Sequence, residues 1–364
     1  MTESREDFGV YIHVPFCSRR CDYCAFATWD DKATLVDAYM NALHGEVLRA
    51  VDGGLAVATS VFVGGGTPSL VPAEMLARVI AAVPKSNDAE VTVECNPDNV
   101  SDDLLATYRD GGVNRISLGV QSMVPHVLDS LGRQHNPDNV IAAVESIRRV
   151  GIGTFNMDLI YGAHGESVDD WVTTVHGALG LRPPHVSAYG LTVEPGTPLA
   201  DDAKRHPDDD DQADKYPIAD DLLEAAGLAN YEISNWAEPG HESRHNRLYW
   251  AQADYRGFGC AAHSHARGRR WWNVRTPERY IDLVNQRQSV EAAHEVLDAE
   301  QVAAERVQLT LRRREGAAVG DLPSGKDAEI DELVNAGLIS VESDRVTLTR
   351  AGRLLANAVT LRLT

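Results

Sequence analysis

The sequence predicts an α/β protein built on a partial (β/α)6 TIM-like barrel, followed by a C-terminal α+β accessory region. Six short apolar segments alternate with helix-like segments between residues 9 and 228. Such alternation is typical of parallel sheets with crossover helices. A closed barrel of this class has eight strand–helix units. Six units therefore favour an open barrel, although periodicity alone also fits a doubly wound sheet.

Each predicted strand is rich in β-branched or aromatic residues and almost continuously apolar, as expected where helices cover a parallel sheet. The strands are predicted at 9–14, 60–65, 90–95, 114–120, 154–161 and 185–193. The helices are predicted at 33–50, 72–83, 101–110, 137–150, 167–180 and 213–227. Ser101 and Ser167 are suitable N-caps, and Gly111 and Gly151 are suitable helix ends. In either architecture, functional side chains are expected at the C-terminal strand ends.

The pattern changes after residue 228, which predicts three units: 1–228, 229–296 and 297–364. The middle unit begins with a short strand and turn and continues with many aromatic, histidine and glycine residues. The last unit is predicted as helix, two-stranded wing and helix, and is similar to a winged-helix module. The aspartate-rich segment 201–214 lacks the glycine-bearing spacing of a calcium loop, so a solvated loop with acidic charge at a helix start is expected.

The charge balance argues against nucleic-acid and membrane partners. The chain has 34 basic and 54 acidic residues, a formal net charge of −20. Such a field repels phosphate backbones and anionic lipid. The winged-helix-like unit is itself acidic, which counts against a DNA-binding regulator. No apolar run of 18 residues and no signal peptide are apparent, so a cytoplasmic protein without a transmembrane segment is expected.

Three of the five cysteines lie close together in a C-x3-C-x2-C spacing, at Cys17, Cys21 and Cys24, directly after the first predicted strand. Structural zinc usually takes four ligands arranged as two pairs. A [4Fe–4S] cluster held by three cysteines keeps one iron open for an exchangeable ligand. The cluster is therefore the favoured interpretation, with zinc or purely structural cysteines as the alternative. Cys95 and Cys260 stand alone, and Cys95 is expected to be an inert buried thiol.

This loop resembles that of the radical S-adenosylmethionine (SAM) superfamily. Further motifs resemble its coproporphyrinogen III oxidase-like subfamily: YIHVPFC at 11–17, GGGTPS at 64–69, ECNP at 94–97, GVQS at 119–122, LGR at 131–133 and DLIYG at 158–162. The resemblance implies a [4Fe–4S] cluster with SAM on its open iron. In enzymes of the superfamily it further implies reductive cleavage of SAM to a 5′-deoxyadenosyl radical.

The resemblance also implies which residues contact SAM. They are Tyr11, Tyr23, Gly65, Gly66, Thr67, Glu94, Gln121, Arg133, Asp158 and Ala188. A guanidinium such as that of Arg133 can form a fork on a carboxylate, and Glu94 is expected to orient it. Taken singly, each polar residue in this set also fits a buried structural salt bridge or hydrogen bond.

Two branches of the subfamily compete: the oxygen-independent coproporphyrinogen III oxidases and the HemW-type haem chaperones. Only ten residues precede Tyr11, whereas the oxidase branch carries a longer N-terminal extension. Phe26 stands where the oxidases have a further cysteine. Residues 245–250 fit the H-N-x-x-Y-W signature of the chaperone branch. These features favour a haem chaperone, with the oxidase, which decarboxylates propionates in haem biosynthesis, as the alternative; no catalytic residue is assigned.

The signature implies haem contacts by His245, Asn246, Tyr249 and Trp250. Histidine is a common axial haem ligand, and aromatic side chains offer flat apolar surface. His263 and His265 are alternative ligands, and a structural role for the whole signature remains open. The resemblance implies haem as cargo, haem-accepting proteins such as those of the respiratory chain as partners, and a homodimer supported by the cluster and SAM.

Overall fold

The computed structural model describes residues 7–364; the interpretation of the extreme N-terminus rests partly on residues 1–6, which lie outside this range. Six parallel strands form the centre of the fold. They are β1 (Phe8–Val14), β2 (Ala58–Gly65), β3 (Lys85–Cys95), β4 (Arg115–Gln121), β5 (Thr154–Tyr161) and β6 (His185–Gly190). They lie side by side in chain order. A doubly wound sheet would reverse this order at a switch point, so the partial barrel is confirmed.

Seven helices connect or follow these strands. They are α1 (Val36–Asp52), α2 (Ala73–Ala82), α3 (Asp102–Asp110), α4 (Pro125–Ser130), α5 (Pro137–Val150), α6 (Val168–Gly180) and α7 (Asp209–Ala225). Helix α5 shows why they form where they do. The Asn136 side chain accepts from the Asn139 amide in a capping box, and Gly151 ends the helix in the left-handed conformation. Its apolar face is buried against the sheet.

Later segments extend both edges of the six-stranded core, so the sheet has twelve strands and does not close. Strands β7 (Ala229–Glu232) and β8 (Asn235–Ala237) follow β6, with β8 pairing antiparallel to it. Helix α8 (Arg244–Trp250) comes next in the chain. Strand β9 (Asp254–Phe258) then pairs parallel to β1, and β10 (His263–Ala266), β11 (Arg269–Asn273) and β12 (Glu291–Val296) continue outward from it, with α9 (Pro277–Asn285) between the last two. The sheet is therefore continuous across residue 228, and the division into three domains stays a prediction.

The remaining residues form a small module with its own apolar core. Its elements are α10 (Ala299–Thr310), β13 (Ala317–Ala318), α11 (Asp327–Asn335), β14 (Ile339–Glu342), β15 (Arg345–Leu348), α12 (Arg350–Leu354) and α13 (Ala356–Leu363). The predicted helix, wing and helix are present, and β13 adds a third strand to the wing. Val307, Leu311 and Val346 are buried in the centre of the module.

Two elements differ from the sequence prediction for local reasons. Helix α4 was not predicted, because its six residues are too few to show a helical period. Helix α7 begins at Asp209, inside the segment predicted as a loop. The Asp208 side chain accepts from the Asp211 amide, and three aspartates occupy the first turn. Negative charge is favourable at a helix N-terminus, so half of the acidic segment is helical. No helix in the described range 7–364 is long and apolar enough to cross a membrane.

A cavity between the cysteine loop and helix α8

The interior of the open barrel contains a cavity of about 780 Å³, a volume typical of sites for small organic ligands. The three clustered cysteines line one part of it, and residues of α8 line another. The cysteines follow the C-terminal end of β1, where ligand sites of parallel α/β folds lie. Helix α8 instead contacts the first halves of β1 and β2, because the His245 ring lies against Gly9 and bonds Ser60. The cavity therefore runs through the depth of the barrel.

The cysteine loop is tied to the end of β1 by backbone pairing. The Cys17 amide donates to the Trp29 carbonyl at 3.0 Å, and the Trp29 amide donates to the Pro15 carbonyl at 2.8 Å. Further along, the Arg205 guanidinium bonds the Asp22 carboxylate at 2.8 Å. Both ends and the middle of the loop are thus anchored, which holds the three thiols at the cavity wall.

The chemistry of the thiols fits an iron–sulfur cluster. Burial raises the pKa of the Cys17 thiol to about 11, and the nearby charges of Cys24 and Cys21 add to the rise. Burial likewise raises the pKa of Cys24. Thiolates gathered in this way need positive charge beside them, which iron supplies. Within residues 7–364, no three histidine, cysteine or carboxylate side chains converge on a single metal-ion position. In a [4Fe–4S] cluster each thiolate takes its own iron, so the three thiols need not converge on one point.

The glycines at the end of β2 are required by the protein's own packing. A Cβ at Gly65 would lie 2.4 Å from the His13 ring, and this residue has a φ of +115°. A Cβ at Gly66 would lie 2.5 Å from the Phe16 carbonyl oxygen. Only glycine fits such a backbone conformation and such close approaches. Both glycines and Thr67 still line the cavity, so their backbone is available to a ligand.

Arg133 reaches across the cavity to the cysteine loop. Its Nη1 donates to the Cys21 sulfur at 3.5 Å, while Nη2 donates to the Asn96 side chain at 2.8 Å and to the Gly119 carbonyl at 2.9 Å. Its buried Nε has no hydrogen-bond partner among the described residues. The expectation that Glu94 orients Arg133 is wrong. The Glu94 carboxylate instead accepts from the Gly65 amide at 3.1 Å, because both lie on the β2–β3 side of the cavity.

A layer of polar side chains crosses the barrel below the cysteines. Asp158 accepts from the Ser117 hydroxyl at 2.8 Å and from the Asn156 amide at 2.9 Å. Burial and then the charge of Asp158 raise the pKa of Glu94 to about 8. Burial also raises the pKa of Asp158 above its usual value, although hydrogen bonds from Ser187 and Ser117 oppose the rise. The cavity therefore offers donors and acceptors, and burial disfavours the charged form of both carboxyl groups.

Gln121 has an unusual backbone conformation at a position where it lines the cavity. It has a φ of 63° and follows an irregularity in the pairing of β4 with β5 between Gly119 and Gln121. Left-handed backbone at a residue other than glycine is strained, and such residues cluster at functional sites. Gln121 lines the cavity together with Tyr11 and Tyr23. Burial raises the pKa of both tyrosines, so they remain neutral hydroxyls.

Helix α8 carries the H-N-x-x-Y-W residues, and its N-terminus is fixed to the barrel. The Glu90 carboxylate accepts from the Arg244 and His245 amides at 3.1 and 3.2 Å. One ring nitrogen of His245 bonds the Ser60 hydroxyl and the other bonds the Tyr249 hydroxyl, each at 2.9 Å. The ring is only 1% exposed, and burial lowers its pKa to about 3. His245 is thus a neutral, doubly bonded wall residue.

The structure brings most of the predicted site residues to one cavity. Those that line it are Cys17, Cys21, Cys24, Tyr11, Tyr23, Gly65, Gly66, Thr67, Glu94, Gln121, Arg133, Asp158, His245, Asn246 and Tyr249. Two do not. The Ala188 side chain belongs to the apolar core, because neighbours along β6 point to opposite faces. The Trp250 indole lies under the Arg312 guanidinium, 5.6 Å from it.

Sequence reasoning missed several residues that line the cavity: Asn96, Ser117, Asn156, His185, Ser187 and Tyr189. Three of them, Ser117, Asn156 and His185, lie at matching positions of β4, β5 and β6. The signal was present as single polar residues within strands described as almost continuously apolar. Their meaning depended on the register, which places them on one face.

Comparison with known proteins identifies the family. The model of the radical SAM superfamily matches residues 11–177. A "Heme chaperone HemW" of Mycobacterium tuberculosis is 40% identical, with 97% of this chain and 94% of the relative covered. The protein of the same name from Bacillus subtilis is 34% identical, with 96% and 97% covered.

Among solved structures, coproporphyrinogen III oxidase (HemN) from Escherichia coli superimposes with a TM-score of 0.86 at 21% identity. The match covers 98% of this chain and 90% of the other, and at this identity it shows a shared fold. The two bacterial relatives align with this chain over nearly the whole length of both proteins. On these grounds the chain belongs to the HemW family of the radical SAM superfamily.

Proposed function

We propose that this protein is a haem chaperone, which binds haem and passes it to haem-accepting proteins. The observation that carries the proposal is the 40% identity to a protein named "Heme chaperone HemW" over nearly the full length of both chains. The acceptors that we propose include proteins of the respiratory chain. A homodimer is proposed as the working form, in which the cluster and SAM support assembly.

Cys17, Cys21 and Cys24 would hold a [4Fe–4S] cluster, whose open iron binds SAM and which supplies electrons when SAM is cleaved. Arg133 supports this assignment, because its guanidinium lies at the cysteine loop with an unused buried donor. We propose that it binds the SAM carboxylate. The glycine backbone at residues 65–66, with Thr67 beside it, would contact the methionine part.

The polar layer of the barrel suits the nucleoside part of SAM. Gln121 and Asp158 offer an amide and a carboxyl at neighbouring strand ends, and we propose that they bind ribose and base. Tyr11, Tyr23 and Glu94 complete the proposed wall. Ala188 remains in the proposed set only through its backbone, because its side chain is in the apolar core.

The proposed haem contacts on α8 are Asn246 and Tyr249, which line the cavity beside His245. Trp250 contributes to the set only at the far end of the helix, where it packs under Arg312. A coproporphyrinogen oxidase activity is the alternative function. The shared fold with HemN favours it, but the 21% identity is far below that to the chaperones. Phe26, 66% exposed beside the cluster loop, stands where the oxidase branch has a cysteine.

Anaerobic reconstitution tests the cofactor assignment. We expect about four irons per chain and an EPR signal after reduction, as for one [4Fe–4S] cluster. The triple variant Cys17→Ala, Cys21→Ala, Cys24→Ala should bind no iron. The double variant Cys95→Ala, Cys260→Ala is the matched control and should keep the cluster. A cluster retained in the triple variant would contradict the assignment.

Two assays on the reconstituted protein separate the functions. Haem is titrated and followed by absorption, and the haem-loaded protein is then mixed with an acceptor lacking haem. In parallel, reduced protein with SAM is incubated with coproporphyrinogen III. Saturable haem binding and transfer without decarboxylated product support the chaperone. Decarboxylated product without haem binding would establish the oxidase instead.

A further inference from the structure

Three histidines between residues 244 and 273 compete for the haem iron, and two of them have no ring nitrogen to offer. His245 uses one nitrogen for Ser60 and the other for Tyr249. His265 bonds the Ala253 carbonyl at 3.1 Å through Nδ1, and its Nε2 accepts from the Gly268 amide at 3.2 Å. Iron takes a lone pair from a neutral imidazole nitrogen. Both rings would have to give up a bond and leave a buried position before ligating.

His263 differs in each of these respects. It is the first residue of β10 and is exposed. Among the described residues 7–364, no group forms a hydrogen bond with either of its ring nitrogens. Trp272 lies opposite His263 on the neighbouring strand β11. The centroids of the His263 and Trp272 rings are 5.7 Å apart, and the ring planes are inclined by 25°. Such stacking restricts rotation of the imidazole but covers only its face, so the edge that bears the nitrogens remains open.

The position of His263 relates it to the cavity. Strand β9 runs parallel to β1, with Phe258 opposite Ile12, and β10 turns back from there. His263 therefore lies opposite Gly257 and level with Tyr11, a cavity-lining residue in the middle of β1. His13, near the end of β1, bonds the Ala27 carbonyl of that loop at 2.9 Å and is close enough to His263 for the two charges to interact.

The side chain of His263 lies on the face of the sheet that borders the cavity. His265 shares a face with His263, because the two residues lie two positions apart along a strand. The His265 ring contacts Tyr255, and Tyr255 packs edge-on against Tyr249, which lines the cavity. His263 and Trp272 thus lie on the cavity-facing side of the sheet, beside the residues that line the cavity but not among them, and between the cysteine loop and α8.

We propose that His263 is the axial ligand of the haem iron, with Trp272 packed beside it, on the face of the sheet that borders the cavity next to Tyr11. His245 then acts as a positioning residue that holds α8 and does not touch the iron. The new bond is a dative one from the imidazole lone pair, with no transfer of electrons or protons. Partial burial lowers the pKa of His263 below its usual value of 6.5, which favours the neutral imidazole that carries a free lone pair. The proposal rests on the proposed haem-chaperone function.

Absorption and EPR spectra of the haem-loaded full-length protein test the proposal. The variants are His263→Ala, His245→Gln and, as a matched exposed histidine, His294→Ala. We expect His263→Ala alone to lose the Soret band and the EPR signal of histidine-ligated haem iron. Added imidazole should restore that band in His263→Ala, which a purely structural effect would not allow. Iron content after reconstitution, unchanged in all three variants, shows that the fold is intact.

The contrary outcomes are distinct. A wild-type spectrum in His263→Ala would overturn the assignment of the ligand while the chaperone function stands. So would loss of the band in His245→Gln with the band kept in His263→Ala. If the wild-type protein itself binds no haem, the proposed function fails, and the ligand assignment fails with it.

Discussion

Replacing Glu94 by glutamine should make the folded protein less sensitive to alkaline pH. The Glu94 carboxylate accepts from the Gly65 amide and lies beside Asp158 in the cavity. Glutamine has the same shape, and its oxygen can keep the bond from Gly65. The substitution therefore removes the ionisation and little else.

The sign follows from linkage. Burial and Asp158 raise the pKa of Glu94 from its usual 4.5 to about 8 in the folded protein. Between these values the folded state holds a proton that the unfolded chain has lost, so stability falls as pH rises. The full effect corresponds to about 5 kcal/mol. Because the carboxyl lines an open cavity where water screens it, we expect roughly half of this value.

Thermal unfolding of the metal-free, reduced protein between pH 5 and pH 9 measures the effect. At pH 5 the two proteins should unfold at similar temperatures. At pH 9 the Glu94→Gln variant should melt about 3 °C above wild type, given the entropy of unfolding of a chain of this length. The exposed residue Glu145 on α5 supplies the control Glu145→Gln, which should follow wild type. A difference between Glu94→Gln and wild type that does not grow with pH would refute the argument.

Three further outcomes are expected. Trp171→Ala empties a fully buried site of α6 and should cost about 3–5 kcal/mol in urea unfolding, with a smaller loss for Trp171→Phe; equal losses would contradict a cavity effect. Asp220→Ala removes the buried carboxylate that binds Arg350 and Arg353 of the C-terminal module. Limited proteolysis should therefore cleave the module faster in the variant than in wild type. An unchanged cleavage rate would show that these ion pairs do not hold the module in place. Burial lowers the pKa of His135 to about 4, so wild type should lose up to about 3 kcal/mol relative to His135→Gln as pH falls from 6.5 to 4, and parallel pH curves would disprove this.

Local patterns in the chain predicted the centre of the fold well. The predicted strand 154–161 coincides with β5 and the predicted helix 137–150 with α5. Strong periodicity and an explicit capping box specify such elements without help from the rest of the chain. Helix α4 escaped detection because six residues carry too little pattern.

The joining of distant segments could not be predicted. Strand β9 pairs with β1 across more than 240 residues, and β8 pairs with β6 on the opposite edge. Any short apolar strand satisfies an exposed sheet edge equally well, so composition does not say which edge it will take. For the same reason, the sequence did not reveal that the strands within 229–296 join the main sheet.

The sequence by itself determined that three thiols lie together, because three cysteines within one short loop are neighbours in any fold, and their spacing is that of the radical SAM family to which the chain belongs. It also identified just under half of the residues that line the cavity, in the cysteine loop, at strand ends and on α8. Only the tertiary structure decided what those side chains do. In the folded chain the Glu94 carboxylate accepts a hydrogen bond from Gly65 and not from Arg133, and the Ala188 side chain packs in the apolar core. Both ring nitrogens of His245 form hydrogen bonds, whereas His263 is exposed. Hydrogen-bond partners and exposure depend on contacts between distant residues, and these form only when the sheet is complete.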